Sequence, residues 1–223
     1  LYASGDGGWF GAAVGMFREL ATTGCPVVGI SSKAFLKIDR PSKKLVDPRQ
    51  LAGEYALVIG QARVALGLPS DTPVLLTGWS RGASFAVLAA GELRRTDRVV
   101  GVLAIGLPRG EDLTIDGPDD ETDDGPTDDV VKRWPFDPYQ QIVRLAPVPV
   151  AIIQATHDNY LPAARAQQLF GPDTDDRRFY TVDARNHRFS GSKPGLNRSL
   201  LDAVSWIRSR FAASSTLAPP SCL

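Results

Sequence analysis

A chain of 223 residues with 43% hydrophobic and 22% charged side chains has the composition of one globular domain, long enough to bury roughly 70–75% of its unfolded surface. Its 25 basic and 25 acidic side chains cancel, so no global field draws it onto nucleic acid or an anionic membrane. No apolar run approaches the roughly 18 to 20 residues of a transmembrane span, and two cysteines with two histidines offer neither a disulfide framework nor a zinc ligand set.

In chain order, "LYAS" (1–4) reads as a strand, followed by the glycine-rich "SGDGGWF" and a helix near 11–23. "PVVGIS" (26–31) is a second strand, followed by a helix over 49–67. "PVLLTG" (73–78) leads into a helix over 82–95, and "VVGVLAIG" (99–106) is a fourth strand. "VPVAIIQA" (148–155) precedes a helix over 161–170, and "RRFYTV" (177–182) precedes one over 196–211. Near-continuous apolar strands are buried on both faces, as in a parallel sheet. The alternation predicts a doubly wound α/β domain over residues 1–211, with six mainly parallel strands flanked by helices and the site at the strands' carboxyl ends.

Two segments break the rhythm. Residues 111–129 carry ten carboxylates and no cation, and read as an acidic insertion after the fourth strand. Residues 212–223 are small, polar and proline-rich, which reads as a tail. The chain begins at Leu1, without a methionine and already inside a strand, so a leader or earlier segment is expected to have been removed. Whether Cys25 and Cys222 pair stays open, as does the oligomeric state.

The chemistry centres on "GWSRG", in which Gly78, Ser80 and Gly82 spell GxSxG directly between a strand and a helix. In that context the pattern is a nucleophile elbow: the turn strains the backbone at the serine, and small residues on either side let the helix lie close to the sheet. A serine hydroxyl is a poor nucleophile near neutral pH, so it needs a base and a group to orient that base. Asp158 follows the fifth strand in "QATHDNYLP", and His187 follows the sixth in "VDARNHRFSG". The order Ser80, Asp158, His187 is that of the α/β-hydrolases. His157 competes for the role of base and Asp183 for that of acid, and both rank second.

The developing oxyanion of acyl transfer needs donors, which backbone N–H groups supply. One is the amide of Arg81, directly after the nucleophile, and the other that of Asp6 in the loop after the first strand. That loop is not a dinucleotide motif, because Phe10 stands where the third glycine of GxGxxG belongs. Trp9, Trp79 and Trp134 are candidates for the walls of an acyl-chain pocket, with Trp9 and Trp79 as the candidate substrate-binding residues.

"LYASGDGGW", the GxSxG elbow, "HDNYLP" and "NHRF" together resemble the bacterial VirJ/AcvB virulence proteins, a family of α/β-hydrolases, over residues 1 to about 210. The resemblance implies an α/β-hydrolase fold, a periplasmic or secreted serine hydrolase, and, for AcvB-like members, an esterase that removes lysine from lysyl-phosphatidylglycerol. It supports Ser80 as nucleophile, Asp158 as orienting acid and His187 as base. The expectation is therefore a serine esterase that needs no cofactor. Its partner would be a small-molecule or lipid ester, with a cationic head group as the sharper version. Asp112, Asp116, Asp119, Asp120 and Asp124 would attract such a group, the plainer reading of the acidic run being a solvated loop. A thioesterase or peptidase on the same triad, or a secretion-associated binding module, are the alternatives.

Overall fold

The computed structural model describes residues 1–37, 47–93, 98–113 and 134–214. Six strands, β1 (Tyr2–Ala3), β2 (Gly29–Ile30), β3 (Val74–Trp79), β4 (Val99–Ile105), β5 (Val150–Ala155) and β6 (Arg177–Val182), form one sheet in the order β2-β1-β3-β4-β5-β6. Every adjacent pair is parallel, so the sheet is more uniform than the mainly parallel one expected. β4 is buried along its whole length, as its unbroken apolar run requires.

β1, β2 and β5 are shorter than their apolar runs. Pro149 has no N–H to give a ladder, and β5 starts directly after it at Val150, whereas β2 is confined to Gly29–Ile30, beside the two residues of β1. β1 stops at Ala3 because the chain turns into the glycine loop, although Ser4 N–H still donates to the Ile30 carbonyl at 3.0 Å.

Among the described residues seven helices accompany the strands: α1 (Ala12–Ala21), α2 (Ser32–Lys37), α3 (Pro48–Ala65), α4 (Arg81–Leu93), α5 (Pro138–Val143), α6 (Ala163–Phe170) and, after the last strand, α7 (Lys193–Ser214). α3 starts where the sequence dictates: Pro48 occupies its first turn, Asp47 accepts from Arg49 N–H, and Gln50 closes a capping box. α2 and α5 were not expected. Each has only six residues, too few to show a period, and α5 is set by Asp137, whose carboxylate accepts from Tyr139 and Gln140 N–H. α7 runs through 212–214, so those residues are helix where a tail was expected. The rest of that tail, Cys222 included, and residues 114–129 of the acidic run, with Asp116, Asp119, Asp120 and Asp124, lie outside the described residues. No described helix is long and apolar enough to cross a membrane.

The two faces of the sheet carry separate cores. Leu76, Val102, Ala104 and Ile152 point toward α3 and α4, where Tyr55, Phe85 and Val87 are buried. Leu103, Ile105, Ala151 and Ile153 point the other way, toward Met16 and Leu20 of α1 and Leu200, Val204 and Ile207 of α7. The split follows from direction. The connection through α1 leads outward from β1 to β2, whereas those through α3, α4 and α6 run in the opposite sense, and right-handed crossovers place the two sets on opposite faces. The strand order reverses between β1 and β3, which opens a crevice beyond their carboxyl ends.

Candidate active site

Ser80 sits at that crevice, in the turn from β3 to α4, with φ at 56°. A serine held in the left-handed region costs about 1–3 kcal/mol, and such strain persists only where the surroundings fix it. Here they do. Its N–H donates to the Ile105 carbonyl of β4 at 2.9 Å, and its carbonyl accepts from Ala83 N–H at 2.8 Å. A side chain at Gly78 would collide with the Gly82 carbonyl, and one at Gly82 with the Ala3 carbonyl of β1. The two glycines of GxSxG are therefore demanded by the approach of helix to strand.

The loop after β1 lies against the serine: a Cβ built on Gly5 would be 3.3 Å from Ser80 Cβ and 3.1 Å from the Trp79 ring. Asp6 follows directly, so the two amides expected to face an oxyanion, those of Asp6 and Arg81, come from segments in contact. Arg81 is the first residue of α4, where an N–H has no acceptor within the helix and the dipole is positive. Such an end favours a negative oxygen.

His187 and Asp158 meet. The imidazole Nδ1 is 2.7 Å from Asp158 Oδ2, and both side chains are almost wholly buried. The carboxylate is held from several directions, with Gln154 Nε2 donating to Oδ2 at 3.1 Å and Tyr160 N–H donating to Oδ1 at 2.9 Å. Asp158 thus organises the turn before α6 with one oxygen and the histidine with the other. A carboxylate at Nδ1 puts the ring proton there and leaves the lone pair on Nε2. That Nε2 is buried and has no hydrogen-bond partner among the described residues, Ser80 Oγ included.

The competing residues lie elsewhere. His157 and Asp183 are exposed, whereas His187 and Asp158 are not. Trp79 stacks on the His187 ring, with centroids 5.4 Å apart at 28°, and its indole N–H donates to the His187 carbonyl at 3.3 Å. Trp9 instead packs edge-on against Phe17 at 5.2 Å and against Tyr2, toward α1. Trp134 lies against Gly110.

Comparison with known proteins adds the fold's name. No protein-family profile matches the chain, and no curated protein does. Among solved structures, an esterase domain from Rhodothermus marinus shares 18% identity at a TM-score of 0.55, covering 94% of this chain and 84% of its own. A lid-less α/β serine hydrolase from Xanthomonas campestris shares 15% at 0.57, covering 92% and 80%. A Thermus thermophilus protein shares 17% at 0.55, covering 92% and 88%. The chain has the α/β-hydrolase fold.

Within this hydrolase fold the sequence hid three site features. Gly106, at φ 57° after β4, leaves room for the imidazole, since a Cβ there would be 2.9 Å from His187 Cε1. Tyr160, 55% exposed, meets the same ring edge-on at 4.9 Å. A strand followed by glycine hints at the first. Nothing local signals the second.

The third is a charge cluster around Arg81. Its Nε lies 2.9 Å from Asp6 Oδ1 and 3.3 Å from Glu111 Oε1, and Nη2 lies 3.5 Å from Asp112 Oδ1. The plain reading of the acidic run as a solvated loop fails at its first residue. Glu111 is 3% exposed, is bridged to Phe136 by backbone hydrogen bonds, and accepts from Asp112 and Leu113 N–H at 3.1 and 3.0 Å. A cation at a helix N-terminus opposes the dipole by about 0.3–1 kcal/mol, which the carboxylates offset.

Burial pushes the Glu111 carboxyl up to about 7 from its ordinary 4.5; Arg81 and Leu113 N–H pull it down, and Asp6 and Asp112 push it further up. Between those values the folded chain keeps a proton that the unfolded chain has lost. The resulting stabilisation is fully present below pH 4.5 and is lost as pH rises to about 7, with a span on the order of 3 kcal/mol. Urea midpoints of wild type should therefore fall, relative to Glu111→Gln, across this window. Parallel curves would show that Glu111 does not hold the proton.

Proposed function

We propose that the chain is a serine esterase. Ser80 Oγ attacks an ester carbonyl carbon while His187 Nε2 takes the hydroxyl proton, Asp158 holds the imidazolium, and the amides of Asp6 and Arg81 receive the oxyanion. The tetrahedral intermediate then expels the alcohol, which takes the proton from His187, and leaves Ser80 acylated. Water, deprotonated by the same nitrogen, attacks the acyl carbon; collapse of the second intermediate releases the acid and returns the proton to Ser80. One observation carries the reading above the rest: a buried Asp158–His187 pair at 2.7 Å whose Nε2 is unpartnered, at the strand ends that also carry a strained serine.

The finer form of the proposal is a cationic ester, such as the lysyl ester of a phosphatidylglycerol, met in the periplasm or outside the cell. Its supports are the resemblance carried by "SGDGGW" and "NHRF" and the placement of Asp6 and Asp112 around the residue after Ser80. Steady-state kinetics on paired esters test both levels. Hydrolysis with a pre-steady-state burst is expected on activated esters. Asp112→Asn should raise KM about threefold for a lysyl ester, leave its kcat nearly unchanged and leave an uncharged ester untouched. Equal handling of both esters by the variant would remove the cationic group, and a thioester or amide turned over faster than any ester would move the chain to the neighbouring hydrolase classes. Absence of turnover on all three bond types would favour a binding module.

A further inference from the structure

Arg81 contributes more than a backbone amide. Its guanidinium spans from the turn that carries the nucleophile to Asp6 in the loop after β1, and to Glu111 beyond β4. These are the segments that must keep a fixed spacing if two amides, one on each side of the crevice, are to meet a single oxygen. Several features indicate that the side chain is held there. Arg81 lies mostly buried at the start of α4, an end at which a cation is unfavourable. Its closest partner is Asp6, at 2.9 Å, and its buried one is Glu111, at 3.3 Å, fixed by the Asp112 and Leu113 amides and by the backbone bridge to Phe136.

We propose that Arg81 is a positioning residue, a clamp that holds the Asp6 loop against the nucleophile turn and so sets the separation of the Asp6 and Arg81 amides, with Glu111 as its buried anchor. The proposal rests on the esterase reading and on those amides as the oxyanion donors. It assigns the acidic cluster a mechanical part in catalysis, acting through the backbone. A fork with donors in fixed directions suits this role, since it engages Asp6 and Glu111 together, whereas lysine offers a point charge on a flexible stem.

The test compares Arg81→Met, Arg81→Lys and Asp6→Asn with wild type and Ser80→Ala, reading kcat and KM on an uncharged activated ester and the inhibition constant of a boronic acid that forms a tetrahedral adduct. Misplacing a donor is expected to lower kcat about 10²-fold or more for Arg81→Met, the scale of losing one oxyanion donor. KM should move less than about threefold, because a ground-state carbonyl depends on the donors far less than the tetrahedral oxygen does. Boronate affinity should fall in step with kcat. Arg81→Lys should recover about tenfold of the loss, since it keeps the charge without the fork. Asp6→Asn removes the charge of one arm at an exposed position, leaving a neutral acceptor, and should cost up to about tenfold in kcat with KM held. Arg81→Met and Asp6→Asn both within twofold of wild type, with Ser80→Ala inactive, would overturn the clamp and leave the esterase reading standing. Losses confined to KM would also overturn it. Full turnover by Ser80→Ala would instead bring down the esterase reading itself.

Discussion

Ser80→Ala is expected to lower ester turnover by about 10⁴ to 10⁶ in kcat, measured at saturating substrate on a folded variant. The size follows from the way the groups work as a unit: without the hydroxyl, the base has no nucleophile to activate, and what remains is the oxyanion site and binding alone. The substitution should be well tolerated by the fold, because Ser80 N–H donates to the Ile105 carbonyl and the Ser80 carbonyl accepts from Ala83 N–H, and alanine keeps both. The residual cost is the positive φ, which alanine tolerates no better than serine. A variant with native melting behaviour and kcat within tenfold of wild type would rule Ser80 out as nucleophile.

The second large effect separates two histidines with neighbouring claims. His187→Ala should cost about as much as Ser80→Ala, near 10⁶-fold in kcat, because the serine then keeps its proton. Asp158→Asn should cost about 10⁴-fold: the geometry survives, but an amide N–H facing Nδ1 would select the tautomer that carries its proton on Nε2, where a lone pair is needed. His157→Ala should stay within about twofold, since that residue is exposed and its backbone N–H, which the substitution keeps, donates to the Ala184 carbonyl at 3.1 Å. Comparison of the three kcat values decides the matter. A large loss at His157 with activity kept at His187 would reverse the assignment.

Much of the fold is legible in the sequence. The unbroken apolar runs of β4 and β5 specify strands buried on both faces, because such burial leaves a signal in every residue, whereas β6 is only partly buried and was legible from its bounds and branched residues. GxSxG is legible for a similar reason: close approach of α4 to β1 and β3 forbids side chains at Gly78 and Gly82, so the geometry is written into residue type. Asp158 and His187 could be ranked from their places after strand ends. What stayed hidden depends on contacts across the chain. Trp79 was expected to wall a pocket, and its stacking on His187 comes from the packing of β3 beside the last loop. Glu111 looked like one charge in a solvated run, since nothing local reveals that Phe136 and Arg81 enclose it. Tyr160 reaches the imidazole only because Asp158 bends the chain. Short helices such as α5, carried by a single cap, offer too few residues for a period to emerge.

The central claim is that Ser80, activated by the His187–Asp158 pair, is the covalent nucleophile. It is tested most directly by treating the wild-type chain with a fluorophosphonate until turnover stops, then locating the adduct by tandem mass spectrometry of the digested protein. The account predicts one adduct per chain, on Ser80, formed in proportion to lost activity and very slowly in His187→Ala. An adduct on another residue, or ester turnover that persists once Ser80 is fully modified, would contradict it.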